Sequence, residues 1–206
     1  MGDHTRIAVA PAVQLGGSLF TPEQLMKIGR VAEPDAMIEM TNFRQIYIEI
    51  AENDMRTIEE ELQQSGLEVY PAGFVSKSLI ACQFCRGAEE AGLATARALN
   101  EVIAGIETPA PLKIGYAGCA LGTSEPLLKD IGVVKMRDTF DIYVGGDPKG
   151  IKPKFASKLM TGLSANQLIP VVSALIQFYK DHAKPKEKFS KFVDRISLEE
   201  LRQAAA

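Results

Sequence analysis

Only three cysteines occur in the 206 residues, at positions 82, 85 and 119. A sparse, odd set argues against a disulfide framework and for reduced thiols or metal ligands. Histidine is scarcer still. His4 and His182 each lie near a terminus or at a helix end, so solvated side chains are expected. Ser-His-Asp hydrolysis therefore has no plausible base, and a histidine-ligated zinc site is a poor fit. Neither sign of charge dominates, with 23 Lys and Arg against 26 Asp and Glu and a net charge of −3. No basic field recommends nucleic acid as a partner. Long hydrophobic runs are missing too. The stretch from Leu168 to Leu175 is broken by Pro170 and Ser173 and is too short to span a bilayer. The start, MGDHTRIAV, carries Asp3 and lacks the core of a signal peptide. These absences point to a cytoplasmic protein with no membrane partner.

What remains is an ordinary globular composition, 46% hydrophobic and 24% charged, long enough for one large domain or two small ones. RIAVAPAV at 6–13 reads as a strand. TPEQLMKIGRVA reads as a helix with Thr21 as its N-cap, Pro22 in the first turn and Gln24 closing a capping box. MIEMTNFRQIYIEI at 37–50 reads as one strand, with Ile46, Ile48 and Ile50 alternating against Tyr47 and Glu49. A second helix follows over ENDMRTIEEELQQSG, stopped by Gly66. Strand, helix, strand, helix in about 70 residues suggests a ferredoxin-like α+β unit over 1–72.

A second domain is expected over 73–206. A helix is predicted over 86–104, with Leu93, Ala96, Leu99 and Ile103 in phase. LKIGYAG reads as a strand ending at Gly118-Cys119. VVKMRDTFDIYVGG reads as two strands turning near Asp138. DPKGIKPK is a polar, basic loop. A helix from about 164 to 181 begins with a second capping-box pattern, Ser164 and Gln167, and the tail reads as one more short helix.

The chemistry centres on the cysteines. Cys82 and Cys85 form a Cys-x-x-Cys pair, a spacing that lets two thiolates reach one metal or cluster. It also suits a redox dithiol, and two buried structural thiols would look the same. Cys119 lies in YAGCALGTSEP. Small neighbours there would let an inorganic centre approach the backbone, and a buried free thiol fits as well.

In order along nearly the whole chain, GGSLFTPEQLMKIGRVA, MTNFRQIYIEI, KSLIACQFCRGAEEAGLATARALNEVI, YAGCALGTSEPLLKDIGVV and FDIYVGGDPKGIKPKFASKL resemble one half of the siroheme-dependent nitrite and sulfite reductases. The resemblance implies a ferredoxin-like half-domain followed by a 4Fe-4S α/β domain. It implies a [4Fe-4S] cluster held by Cys82, Cys85 and Cys119, admits a siroheme, and suggests reduction or binding of a small oxyanion. Two departures stand out. Cys82 and Cys85 are closer together than the family's first pair, and the family's fourth, bridging cysteine falls on Thr123. A hydroxyl is a poor ligand for a soft cluster, which favours the alternative of an electron-transfer or tetrapyrrole-binding module that has lost the reductase chemistry. Arg44 matches the arginine that faces siroheme or substrate, Lys77 precedes the cysteine loop where the family carries basic residues, and the resemblance makes both catalytic candidates. Gly145, Gly146, Lys152 and Lys154 fall where a backbone nest and ammonium groups would hold carboxylates. Full-size members carry two copies of this pair of domains, so the single copy implies a homodimer, and a redox partner protein would supply electrons.

Overall fold

The computed structural model describes residues 4–149 and 151–205. They form two compact units, one of Met1–Ala12 with Ser18–Ala72, the other of Val13–Gly17 with Gly73–Ala206.

In the first unit, β1 (His4–Pro11) lies between β3 (Ile46–Ala51) and β4 (Leu67–Pro71), antiparallel to both. A short β2 (Glu39–Met40) adds to the free edge of β3, giving the order β2-β3-β1-β4. Helices α1 (Pro22–Val31) and α2 (Met55–Gln64) bury Ile28 and Leu62 against Ile7, Val9, Ile46, Ile48 and Ile50. This is the ferredoxin-like order. The α1 cap forms as its residues predict. The Gln24 N–H donates to Thr21 Oγ1 at 3.2 Å, and the Thr21 N–H donates to Gln24 Oε1 at 2.9 Å.

The strand expected over 37–50 is instead a hairpin. The N–H and the hydroxyl of Thr41 both donate to Gln45 O, at 3.0 and 2.7 Å. A chain bonded to itself over four residues cannot stay extended. Arg44 occupies this turn with φ 62°, off the strand.

The sheet of the second unit runs β5-β6-β7-β8-β9. β5 (Ile80–Ala81), β6 (Ile114–Ala117) and β7 (Ile131–Met136) are parallel, while β8 (Thr139–Val144) and β9 (Ser157–Leu163) continue antiparallel. Every residue of β6 is buried, the mark of a parallel strand covered on both faces. β7 and β8 turn at Arg137-Asp138 as predicted, with Arg137 at φ 57°. β9 has no counterpart among the expected elements. Its register against β8 shifts twice and Gly162 has φ 75°, so alternation along it is broken.

The helices are α3 (Leu93–Ile103), α4 (Ala165–His182), α5 (Phe189–Arg195) and α6 (Leu198–Ala205). The predicted helix over 86–104 begins only at Leu93. Gly87 and Gly92 have φ of 94° and 72°, outside the helical range, and residues 86–92 form turns. At the start of α4 the Ser164 N–H donates to Gln167 Oε1 at 3.0 Å, and the helix runs on through Pro170. The tail holds two short helices where one was expected, because Ile196 is extended.

Candidate metal centre

Sheet register brings the cysteines together. Ile80 and Ala81 of β5 face Gly115 and Tyr116 of β6 in parallel. Cys82 follows β5 directly, and Gly118-Cys119 follows β6. Both thiols therefore leave the carboxyl ends of adjacent parallel strands, the usual side for ligands in open α/β sheets. The Cys82 N–H donates to Tyr116 O at 2.9 Å, and the Gly118 N–H donates to Cys82 Sγ at 3.2 Å. Gly118 is there for closeness: a Cβ would stand 2.6 Å from the Ala91 Cβ and 2.8 Å from the Ala91 O.

Cys85 is carried round by a turn. Between the two cysteines Phe84 takes φ 55°, rare for a bulky residue, and its buried ring stacks on Tyr116 with centroids 5.9 Å apart. Driving Phe84 into the core leaves Cys85 exposed at the surface. The Tyr116 hydroxyl donates to Ala91 O (2.9 Å) and Gly92 O (3.1 Å), pinning the segment that follows. Burial raises the Tyr116 pKa, so the phenol stays a donor. On the other side the Ser124 hydroxyl donates to Tyr116 O at 2.7 Å and holds the loop that presents Thr123.

A short segment from the first part of the chain braces the cysteine loop from outside the cavity. The Gly16 N–H donates to Gln83 O at 3.0 Å, and Arg97 Nε donates to Val13 O at 2.7 Å. Both partners belong to the second unit.

Cys82, Cys85, Cys119 and Thr123 line one small cavity with Phe84, Arg86 and Gly118. Cys82 is buried, Cys119 half-buried and Cys85 exposed. Among the described residues no three Cys, His, Asp or Glu side chains are grouped to hold a metal ion. One zinc would draw its thiolates within about 4.6 Å of each other, twice the Zn–S bond. A polynuclear cluster gives each thiolate its own iron and suits sulfurs spaced round a shared cavity. The three thiols suit an iron–sulfur centre, while the Thr123 hydroxyl beside them is a poor fourth ligand.

Two larger hollows adjoin. One of about 1100 Å³ takes in Arg86, Cys119, Lys135, Arg137 and Asp138. The other, about 350 Å³, is a groove walled by Leu121, Leu127, Met136, Tyr143 and Phe155. Leu121 and Phe155 are 76% and 71% exposed.

The other expected site residues are placed differently. Lys77 is 1% exposed, not solvated, and donates from Nζ to Gly73 O at 2.7 Å; burial lowers its pKa to about 8. Gly145 and Gly146 do not form an open nest. Their N–H groups donate to Asp130 O at 2.8 Å and Lys129 O at 3.1 Å. They are glycines for packing, since a Cβ on Gly146 would stand 2.5 Å from Lys129 O. Lys154 pairs with Asp194, and its backbone bridges to Asp147. Lys152 is exposed. None of these lysines and glycines lines the cysteine cavity. Arg44 belongs to the first unit. Two residues that do line it, Phe84 and Arg86, were not singled out from the sequence. Their one signal there is adjacency to Cys85.

The sequence pattern of the nitrite and sulphite reductase 4Fe-4S domain matches residues 76–206. The chain belongs to this family. Among curated relatives of this family member, an assimilatory-type sulfite reductase of Nitratidesulfovibrio vulgaris is 26% identical over 206 residues, covering 98% of the chain and 93% of that protein. A cobalt-factor III methyltransferase of Priestia megaterium is 28% identical over 190 residues, covering 92% of the chain and 35% of that protein. A nitrite reductase [NAD(P)H] of Bacillus subtilis is 26% identical over 186 residues, 23% of its length. The chain thus spans about a third of the methyltransferase, a quarter of the nitrite reductase and nearly all of the sulfite reductase. The fold is shared with Mycobacterium tuberculosis NirA (TM-score 0.72, 13% identity, covering 97% of this chain and 39% of that one). It is shared also with dissimilatory sulfite reductase I (TM-score 0.70, 12% identity, 98% and 69%). No helix among the described residues is long and apolar enough to cross a membrane.

Proposed function

We propose that this family member is an iron–sulfur redox protein of sulfite/nitrite reductase type, in which Cys82, Cys85 and Cys119 hold a [4Fe-4S] cluster and Thr123 stands at the fourth position. The observation that carries this reading is the convergence of those four side chains on one cavity at the carboxyl ends of β5 and β6. The cluster, when bound, supplies electrons one at a time. The Gly118 N–H steadies the Cys82 sulfur, and the Phe84 ring keeps water from its inner side. The apolar groove beside Ala120, with Phe155 and the lysines of the 149–154 loop nearby in the chain, supports a flat, carboxylate-bearing tetrapyrrole such as siroheme. The substrate is a small oxyanion such as sulfite or nitrite. Arg44, Lys152 and Lys154 are the cations proposed to hold its charge or that of the macrocycle, whereas Lys77 is buried with its ammonium committed to Gly73 O. Electrons come from a redox partner protein. The solution form is a homodimer, a reading supported by the apolar edge at β2, where Met37 and Met40 are 89% and 83% exposed.

Anaerobic reconstitution with iron and sulfide tests this. The wild type should gain the broad visible absorption of a cluster, bleached by dithionite. Cys82→Ser, Cys85→Ser and Cys119→Ser should each lose most of the iron, while Thr123→Cys should slow cluster loss in air. Sharp Soret and red bands after siroheme addition would carry the tetrapyrrole part, and Arg44→Gln should then weaken sulfite-induced changes in those bands. A wild type that binds no iron, or a triple serine variant that keeps it, would overturn the reading.

A further inference from the structure

Arg86 stands where two hollows of the site meet. It lines the small cavity with the three cysteines and Thr123, and also the larger hollow with Cys119, Lys135 and Arg137. Its guanidinium is tethered through Nη1 to Glu90 Oε1 at 2.9 Å.

The three sulfurs beside it are not equivalent. Cys82 is buried and accepts the Gly118 N–H. Cys85 and Cys119 reach solvent, and among the described residues no N–H or O–H donates to either sulfur. Arg86 is thus the cation that lines the small cavity together with the two sulfurs that the backbone leaves bare.

We infer that Arg86 is a positioning residue for the redox centre, offsetting the negative charge of the Cys85 and Cys119 thiolates and raising the one-electron reduction potential of the cluster they hold. The inference rests on the proposed cysteine ligation. Its physics is direct. Uptake of an electron adds negative charge, a nearby cation favours the more negative state, and cluster potentials follow local charge, hydrogen bonds to sulfur and exposure. Because the guanidinium is exposed, the effect is screened by salt.

The test is a dithionite-poised redox titration, followed by visible absorption and electron paramagnetic resonance, of the reconstituted wild type, Arg86→Gln, Arg86→Lys and Glu90→Gln. Arg86→Gln should lower the one-electron equilibrium constant about tenfold, about 59 mV toward negative potential. Arg86→Lys should restore most of this, and the gap should narrow as salt rises from millimolar to molar, a response that mere loosening of the loop would not give. A loaded Arg86→Gln protein with the wild-type potential at low salt overturns the inference and leaves the cluster reading intact. If Arg86→Gln fails to take up iron, Glu90→Gln decides. It keeps the cation and removes its counter-charge, so an upward shift supports the role and an unchanged potential overturns it. A wild type that takes up no iron removes the ligation and this inference together.

Discussion

The two ends of the parallel strands in the second unit are built by opposite rules. At the amino ends of β6 and β7, regular elements meet in a dense core. Tyr179 lies edge-on to Phe189 and Phe192 with ring centroids 5.1 and 5.2 Å apart, and all three are buried. Arg195 closes the rim with two bonds to Glu187, at 2.9 and 2.7 Å. At the carboxyl ends the chain leaves regular structure. Phe84, Gly87, Gly92, Gly122 and Glu125 all take positive φ. One end is packed for stability. The other holds Phe84 and Glu125 in costly left-handed conformations beside a cavity shared by three thiols and a hydroxyl, which is where strain is expected if the site does chemistry.

Substitutions at the two ends should therefore fail in different ways. Phe192→Ala should have the largest effect, a loss of about 3–5 kcal/mol in denaturant unfolding, with iron uptake by the remaining folded protein unchanged. If iron uptake fell in step with stability, the two ends would not be separable. Gly118→Ala should cost about 1–3 kcal/mol through overpacking against Ala91. It should also displace the N–H from Cys82, so that iron dissociates faster than from the Phe192 variant. Gly87→Ala is milder. A Cβ there meets nothing within 4 Å, so only the φ of 94° opposes it, at roughly 1–2 kcal/mol.

The smallest expected effect is in pH dependence and belongs to the packed end. Burial raises the Asp130 carboxyl to about 6 from an ordinary 3.8, although Lys113 lies 3.5 Å away. Between those values the folded protein holds a proton that the unfolded chain has released, so this group adds stability as pH falls from about 6 to about 4. Asp130→Asn should flatten that slope in urea midpoints measured across the range. Glu187 acts in the opposite sense. Its bond to Arg195 lowers its pKa to about 2, so its contribution is present above 4.5 and is lost as pH falls toward 2.

The same contrast governs what could be read from the sequence. The Thr21–Gln24 cap, the β7–β8 hairpin and the phase of Leu93, Leu99 and Ile103 rest on neighbours in the chain, and all formed. The start of α3 did not, because apolar periodicity does not register the sign of φ at Gly87 and Gly92. The hairpin hidden in 37–50 turns on a hydroxyl reaching over four residues, a bond that alternation does not reveal. β9 carries a bulge and a twisted glycine in place of a pattern. Spacing alone left Cys82 and Cys85 as dithiol, ligands or bystanders. Their meeting with Cys119 and Thr123 depends on the parallel pairing of β5 with β6, a long-range fact that only the family resemblance foreshadowed. Nothing in spacing or periodicity marked Lys77 as a buried ammonium.

The strap Val13–Gly17 governs how the cysteine loop is assembled. The backbone at Gln83, between two of the cysteines, is held by residues made long before it, so the brace of this loop is discontinuous in the gene and incomplete until the chain has passed Arg97. A fragment cut cleanly at residue 73 would keep every thiol and lose the Gly16 bond that steadies Gln83 between two of them. It should take up iron, yet surrender it to a chelator faster than the intact chain does.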